Sequence, residues 1–214
     1  MATTFSQPRV SSRRRATREE ALNYAQAIVG EQGAGAVTVS EIARRMGMRP
    51  PSLYKHFASL HDIYDALFLR GNERITAYVD AAVANLEPGL ERALEQSRAM
   101  VRWAVDEPGL AALMFWRPVP GFEPSSESFA PSRTLVDRCR EDLATAVGRG
   151  QLASSGATDE AMRVFTSISA GISTQQMAND PGAPYTSGAF TSLLDEALDM
   201  WVRYHAPSQR KARR

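Results

Sequence analysis

The stretch TVSEIARRMGMRPPSLYKHF, residues 38–57, decides the fold because it contains the signals that begin and end two short helices. Thr38 is followed three residues later by an acid, a capping pair that satisfies free amides in a first helical turn. Gly47 can adopt the left-handed conformation that often ends a helix. Pro50 and Pro51 suit the first two positions of the next helix, where their fixed φ is already helical and no amide donor is needed. Two short helices joined by a tight turn are therefore predicted.

The second of these helices has an inner and an outer side. Leu53 and Phe57 are four residues apart and are predicted to point inward. The side chains left toward solvent or a partner are Ser52, Tyr54, Lys55 and His56. Helices this short do not bury enough surface alone, so the pattern favours a helix-turn-helix supported by a preceding helix.

Two further capping pairs flank this stretch and predict two more helix starts, one at Thr17 and one at Ser59. The first of these helices carries a one-sided apolar stripe and ends in the glycine-bearing segment GEQGAGA. Beyond Ser59 no segment alternates like a strand, and proline and glycine break the chain into helical pieces. The predicted fold class is all-α, with an irregular segment over 117–131. The predicted later helices cover residues 60–86, 89–106, 108–116, 131–148, 158–179 and 188–205.

Composition places the chain among ordinary globular proteins, with 214 residues, 43% apolar and 23% charged. It has no run of roughly 18 apolar residues, the length needed to span a bilayer, so we expect no membrane partner. A single cysteine, Cys139, has no second cysteine for an internal disulfide and is most easily kept reduced in a cytosol. We therefore expect a cytoplasmic protein.

The net charge of +1 is unevenly distributed along the chain. Residues 1–57 hold nine basic and four acidic side chains, whereas residues 58–206 hold twelve basic and twenty acidic ones, and four more bases follow from residue 207. A basic N-terminal segment attracts polyanions. The distribution therefore indicates a nucleic-acid module joined to an acidic domain, although an evenly solvated surface also accounts for it.

Catalysis is not indicated. The histidines His56, His61 and His205 do not belong to a metal-ligand or nucleophile motif, and no glycine-rich phosphate loop is present. We expect no enzyme activity, no metal and no cofactor.

Residues 38–67 resemble the DNA-binding region of TetR/AcrR-family transcriptional regulators. The residues that carry the resemblance are Thr38, Ile42, Ala43, Gly47, Leu53, Tyr54, His56, Phe57 and Ser59. The resemblance implies an all-helical homodimer whose front three helices bind operator DNA while a larger C-terminal domain binds a small molecule that releases the DNA. The domains implied are a basic arm (1–16), a helix-turn-helix domain (17–62), a ligand-binding and dimerisation domain (63–206) and a basic tail (207–214).

The resemblance assigns DNA-binding roles to this segment. Phosphate contacts are expected from Thr38, Tyr54, Lys55 and His56. Base contacts are expected from Arg49, Pro50 and Ser52 at the start of the third helix, where an arginine can bind guanine through two hydrogen bonds. Pro50 serves equally well as a helix starter. Arg13, Arg14 and Arg15 are expected to form a basic arm that binds DNA, with a solvated tail as the alternative.

The C-terminal half resembles the subset of these regulators that has a WHG-type ligand-binding domain, a resemblance carried by residues 103–122. Wide, soft apolar side chains gather there, a composition that suits a pocket for a small apolar or amphipathic ligand, although packed core is an equally open interpretation. The predicted ligand-binding residues are Met100, Trp103, Met114, Phe115, Trp116, Phe122 and Phe165.

An apolar stripe at helical spacing on the final two helices predicts a four-helix bundle between two copies of the chain. The predicted dimer residues are Ile168, Ile172, Phe190, Leu194, Leu198 and Trp201. Packing within one chain is the alternative. The function predicted overall is a sequence-specific repressor released by a ligand; the alternative is a ligand-independent regulator or an architectural DNA-binding protein.

Overall fold

The computed structural model describes residues 7–207, with side chains from residue 12 onward. This part of the chain forms α-helices and short 3-10 turns and contains no strand, which confirms the all-α prediction. None of its helices is long and apolar enough to cross a membrane. The helices are α1 (Gln7–Gln32), α2 (Val39–Arg45), α3 (Pro50–Leu53), α4 (Leu60–Val83), α5 (Leu90–Asp106), α6 (Pro108–Trp116), α7 (Ser126–Gly148), α8 (Asp159–Asn179) and α9 (Leu194–Tyr204).

Helix α1 begins at Gln7, so the predicted start at Thr17 is wrong. The Thr17 hydroxyl donates to the Arg13 carbonyl at 3.1 Å, one turn earlier in the same helix. A threonine followed by an acid also fits a helix interior, where its hydroxyl bonds back to a carbonyl instead of capping a first turn. Of the predicted arm, residues 1–6 lie outside the described residues, as does the predicted tail beyond Pro207.

Helix α7 also begins earlier than predicted, at Ser126 instead of residue 131. The Ser125 hydroxyl accepts a hydrogen bond from the Ser128 amide at 3.1 Å, and the Ser125 amide donates to Asp65 at 2.7 Å. This capping stabilises a first turn ahead of Pro131, which therefore lies inside the helix.

Helix α9 begins later than predicted, at Leu194, after a 3-10 turn over Thr191–Leu193. The amides of Phe190 and Thr191 donate to Oε1 of Gln176 on α8, at 3.0 and 3.2 Å. Because this side chain holds the segment before α9, the helix does not extend back to residue 188 as the sequence pattern predicted.

The chain divides into two compact units. The first contains the residues up to Gly71 together with Gly109–Phe129, and the second contains Asn72–Pro108 and the residues from Ala130 onward. The predicted boundary after residue 62 lies inside the first unit, near the beginning of α4.

In the first unit α1, α2 and α3 pack on one another around a buried apolar core. The Tyr64 hydroxyl of α4 donates to the Ala34 carbonyl at 2.7 Å and fixes the turn between α1 and α2. Burial of this side chain raises the pKa of Tyr64. The largest fully buried side chains here are Ile28, Ile42, Leu53, Ile63, Leu67, Phe68, Leu110 and Leu113.

In the second unit α8 packs against α5 and α9, and buried residues from α5, α7, α8 and α9 form one apolar cluster. Phe165 and Trp201 meet edge to face in this cluster, with ring centroids 4.9 Å apart. Cys139 is part of the same cluster, and burial raises the pKa of its thiol to about 12. The thiol is therefore a protonated core side chain.

Candidate functional site

The first helix of the predicted helix-turn-helix, α2, has a defined beginning and end. The Thr38 hydroxyl accepts a hydrogen bond from the Glu41 amide at 3.1 Å, which satisfies a free donor of the first turn. At the other end Gly47 has a φ of 65°, and the amides of Gly47 and Met48 donate to the last carbonyls of the helix at 3.1 and 2.9 Å. This paired capping fixes the turn that leads into α3.

Helix α3 begins with the two prolines at its first positions, as the sequence predicted. Arg49 is the N-cap residue and makes no side-chain capping bond, but the prolines leave few amides that need one. Leu53 is fully buried and Phe57 is 3% exposed, so the inward side of this segment is also as predicted. The orientation of the segment is thus determined by its own sequence.

The predicted DNA-binding residues of this segment all remain accessible at least in part. Tyr54 is 55% exposed, and Thr38, Arg49 and Lys55 are exposed as well. The half-buried ones are Pro50, Ser52 and His56. Within the described residues, Nδ1 of His56 is buried without a hydrogen-bond partner. Together these side chains offer hydroxyl, ammonium and guanidinium donors over a short length of chain.

Two arginines of α1 brace the end of this segment from within the same unit. Nη2 of Arg14 donates to the Lys55 carbonyl at 3.1 Å, and Nη1 of Arg18 donates to the His56 carbonyl at 2.9 Å. The Arg18 guanidinium also lies 4.3 Å from the centre of the Phe57 ring. These contacts satisfy carbonyls that a helix end leaves free.

Residues 7–16 of the predicted basic arm belong to α1, and Arg14 braces the segment that follows α3. Arg13 and Arg15 are exposed on the same helix. Sequence reasoning missed Arg18, although its spacing of four residues from Arg14 is a signal that both lie on one helix face.

A charge network stabilises α2 on its outer side. Glu41 accepts bonds from Arg44 at 2.7 Å and from Arg45 at 2.9 Å, and Arg45 also binds Glu31 on α1 at 2.7 Å. The bonds from Arg44 and then Arg45 lower the pKa of Glu41 to about 2. These two arginines are thus paired with acids, whereas the exposed Arg49 and Lys55 make no ion pair among the described residues.

Four of the seven predicted ligand-binding residues belong to the first unit. Met114 and Phe122 are buried there, whereas Phe115 and Trp116 are 38% and 43% exposed. The Phe122 ring contacts those of Tyr64 and Phe68 on α4, with centroids 5.7 and 6.4 Å apart. Phe122 therefore anchors the segment after α6 within this unit.

The other three predicted ligand-binding residues belong to the second unit. Trp103 and Phe165 are 2% and 1% exposed, and Met100 is half-buried. Phe165 packs in the apolar cluster against Trp201, which is the core alternative that the sequence left open. The prediction of Phe165 as a pocket residue is thus corrected: it is a core residue. An aromatic side chain at helical spacing fits a core as well as a ligand site.

Three of the predicted dimer residues are corrected in the same way. Leu194, Leu198 and Trp201 are at most 4% exposed and pack within the chain, and Nε1 of Trp201 donates to the Ala161 carbonyl at 3.2 Å. The half-buried members of the predicted set are Ile168, Ile172 and Phe190. The apolar stripe of α9 thus faces inward, because it completes the core around α8.

A second apolar face on α8 and α9, missed by sequence reasoning, points outward instead. On α9 and the turn before it, Leu193 is 46%, Met200 60% and Tyr204 83% exposed, and on α8 Val164 is 50% exposed. Exposed small residues, Ser167 and Gly171, continue the α8 side. The available signal was the spacing of seven and four residues from Leu193 to Met200 to Tyr204.

No group of three or more histidine, cysteine, aspartate or glutamate side chains within residues 7–207 is placed to hold a metal ion. The described residues thus provide an exposed basic and hydroxyl-bearing segment in the first unit and an outward apolar face in the second.

Comparisons with known proteins match both parts of the chain. Residues 22–67 match the family described as "Bacterial regulatory proteins, tetR family", and residues 93–200 match "Tetracyclin repressor-like, C-terminal domain". The narrower resemblance to the WHG-type subset stays a prediction. The uncharacterized HTH-type transcriptional regulator YobS of Bacillus subtilis (strain 168) is 28% identical over 93 residues, which are 44% of this chain and 48% of that protein. The match thus spans about half the length of that relative.

Two solved structures show the same fold. A protein of unknown function from Rhodococcus sp. RHA1 aligns with a TM-score of 0.71 and 23% identity, covering 89% of this chain and 95% of that one. RolR, solved in complex with the ligand resorcinol, aligns with a TM-score of 0.60 and 15% identity, covering 92% of this chain and 91% of that one. The second family match alone covers half of the chain, and the first covers α2 and α3. This chain therefore belongs to the TetR family of DNA-binding transcriptional regulators.

Proposed function

We propose that the chain is a homodimeric repressor that binds a palindromic operator and releases it when a small apolar or amphipathic ligand binds the C-terminal domain. The observation that carries the proposal is the accessible segment from Arg49 to Lys55, whose cations are not paired with acids among the described residues. The prolines fix where this segment begins, and Arg14 and Arg18 brace its end. These contacts support a segment whose shape does not have to change when DNA binds.

The proposed roles follow the exposure of each side chain. Tyr54, Lys55 and Thr38 donate to phosphate oxygens, which positions the protein without reading sequence, and half-buried His56 does so with its accessible side. Arg49 reads a base, with Pro50 and Ser52 beside it at the start of α3. Arg13 and Arg15 contact phosphates from α1.

The outward apolar face of α8 and α9, defined by Val164, Leu193, Met200 and Tyr204, is the proposed contact between two copies of the chain. Two helices from each copy would form a four-helix bundle, and the small residues Ser167 and Gly171 would let them approach closely. A two-fold pair places its recognition helices about 34–36 Å apart, one turn of DNA, so the operator is expected to be palindromic.

Ligand release is supported by the family and by the neighbouring fold of RolR, whose structure contains resorcinol. A ligand that binds one arrangement of the C-terminal helices better than another changes the DNA affinity by the same coupling free energy that DNA exerts on ligand binding. We expect the protein to act in the cytoplasm, where its operator is.

The first test is selection from a pool of random duplex DNA at fixed salt, followed by sequencing of the retained fraction. We expect an enriched palindrome for the natural protein and a relaxed preference for Arg49→Ala, because a two-bond arginine contact contributes about 1–3 kcal/mol of discrimination against the wrong base. Arg44→Ala is the matched control, since that arginine is paired with Glu41 on the same unit.

Uniform weak retention by the natural protein would contradict the proposal and favour an architectural DNA-binding protein. An enriched sequence without two-fold symmetry would contradict the dimeric part alone.

A further inference from the structure

Two buried polar atoms in the second unit have no hydrogen-bond partner among the described residues: Oγ1 of Thr76 on α4 and Nη2 of Arg138 on α7. A buried polar group without a partner is costly, and native proteins satisfy nearly all of them. The two atoms are hydrogen-bond donors, and their position therefore indicates where an acceptor belongs.

Thr76 differs from the other helical threonines of this chain whose hydroxyl bonds are seen. Thr17, Thr134, Thr145 and Thr166 each donate to the carbonyl four residues earlier in the same helix, at 2.8 to 3.3 Å. That bond is the ordinary local solution for a threonine inside a helix. The Thr76 hydroxyl does not use it and is buried nonetheless, so its donor is available to another group.

Arg138 is held in one orientation by the partners of its other nitrogens. Nη1 is paired with Asp80 on α4, and Nε donates to Oε1 of Gln96 on α5 at 3.1 Å. The Gln96 amide group donates in turn to the Leu135 carbonyl at 2.9 Å. The guanidinium is planar, so these contacts also fix the direction of the N–H bonds on Nη2.

The two unpartnered atoms belong to the same pair of helices, one to α4 and the other to α7. Asp80, the partner of Arg138, follows Thr76 by four residues on α4, which places it one turn away on the same face. One turn before Thr76, Asn72 accepts from Ser132 of α7. Thr76 therefore lies between two cross-links that join α4 to α7 within the second unit.

Apolar side chains occur on the helix that supplies Gln96. Met100 and Trp103 follow it by four and seven residues on α5, the spacing of one helix face. Trp103 is 2% exposed and Met100 is half-buried. Gln96 thus links Arg138 to a face of α5 that carries large apolar side chains, and polar groups joined to apolar ones are the combination found in small-molecule sites.

We propose that Thr76 and Arg138 bind an uncharged carbonyl oxygen of a small, otherwise apolar ligand. This inference rests on the proposed ligand-releasable function and names the chemistry of its ligand. A carbonyl oxygen has two lone pairs and no proton, so it accepts from both donors at once. A carboxylate fits less well, because the Arg138 charge is already balanced by the exposed Asp80, and a negative charge buried with the ligand would have no counter-charge of its own.

The test uses three probes of one shape on the full-length protein: acetophenone, α-methylstyrene, in which a methylene group replaces the carbonyl oxygen, and benzoate. Calorimetric titration is expected to show acetophenone binding about tenfold more tightly than α-methylstyrene, a difference of about 1.4 kcal/mol, and benzoate binding more weakly than acetophenone. Thr76→Val and Arg138→Lys should each reduce this preference to about threefold or less, as one of two hydrogen bonds is lost.

The matched control is Thr166→Val, which removes a hydroxyl that already donates to the Met162 carbonyl. We expect it to leave the preference for acetophenone unchanged. Thr76→Val should not lower the melting temperature of the free protein, since it removes a hydroxyl without a partner. A clear fall in melting temperature would show that the hydroxyl is satisfied in the free protein and would overturn the proposal.

Equal binding of acetophenone and α-methylstyrene, tightest binding of benzoate, or no binding of any probe at millimolar concentration would likewise overturn it. Operator binding, measured separately, distinguishes the two proposals. Acetophenone that binds through Thr76 without weakening DNA binding would contradict ligand release and leave the site intact. Another compound that releases DNA equally well from Thr76→Val would contradict the site and leave ligand release intact.

Discussion

The two units present opposite kinds of surface. The first exposes a short segment with cations and hydroxyls, represented by Arg49, Tyr54 and Lys55, and fastens it with side-chain bonds to backbone carbonyls. The second buries Phe165 and Trp201 in one cluster and exposes apolar side chains such as Met200 and Tyr204. A phosphate backbone is recognised by the first kind of surface, whereas a second protein surface is recognised by the other. The contrast fits the proposed arrangement, in which DNA binds the first unit and a second copy of the chain binds the second.

The largest expected effect comes from removing an aromatic side chain at the centre of the core of the second unit. Trp201→Ala takes away a 4% exposed indole that packs on Phe165 and donates to the Ala161 carbonyl. We expect the free energy of unfolding to fall by about 3–5 kcal/mol, the range for large aromatic residues in cores. Denaturant unfolding measures this, with Asp199→Ala as the control with little effect, because Asp199 is exposed on the same helix, outside the proposed contact, and makes only a surface ion pair with Arg203. Equal losses for both variants would contradict the inward orientation of the stripe.

A close approach in the first unit is the next target. A Cβ on Gly109 of α6 would meet the backbone of Gly30 on α1 at 3.1 Å, whereas a Cβ on Gly30 would meet nothing within 4 Å. Gly109→Ala is expected to cost about 1–3 kcal/mol of unfolding free energy, because backbone atoms must move apart. Gly30→Ala should be neutral or stabilising, since alanine favours a helix. Thermal unfolding of both variants decides the matter, and a harmless Gly109→Ala would show that α6 does not pack so closely on α1.

Phosphate contact by the first unit is tested by smaller changes. Lys55→Ala should weaken binding to every duplex by about 1 kcal/mol and reduce the slope of log affinity against log salt by about one. Tyr54→Phe should weaken binding by a similar amount without changing the salt slope, because no charge is lost. Salt titrations of DNA binding measure both. A change in sequence preference with either variant would contradict a purely positional role.

The smallest expected effect comes from changing the charge network on α2. Hydrogen bonds from Arg44 and Arg45 lower the pKa of Glu41 from 4.5 to about 2. A carboxylate with a lowered pKa in the folded state adds stability above its unfolded pKa, and this stability is lost as the pH falls from about 4.5 toward 2. Glu41→Gln should therefore flatten the pH dependence of unfolding across that window. Glu20→Gln, at an exposed position of α1, is the control, and an unchanged pH profile for Glu41→Gln would contradict the network.

Local backbone signals in the sequence were sufficient to predict the beginning and end of α2 and the beginning of α3. The Thr38 cap, the turn at Gly47 and the prolines at the start of α3 act within a few residues, so their effects do not depend on distant packing. The family resemblance followed from residues 38–67, and the all-α class from the absence of alternating segments beyond Ser59. One local signal misled, at Thr17, because the same pair of residues also fits a helix interior.

Only the tertiary structure shows which side of each helix is buried and which distant residues it contacts. The stripe with Leu198 and Trp201 was equally compatible with a dimer contact and a core, and only its packing against α8 shows that it faces inward. The bracing of Lys55 and His56 by Arg14 and Arg18 joins residues about forty positions apart, beyond the reach of any local pattern. The unpartnered donors of Thr76 and Arg138 likewise depend on what surrounds them. Hydrogen bonding within a turn is set by neighbouring residues, whereas burial and pairing between helices are set by the whole fold.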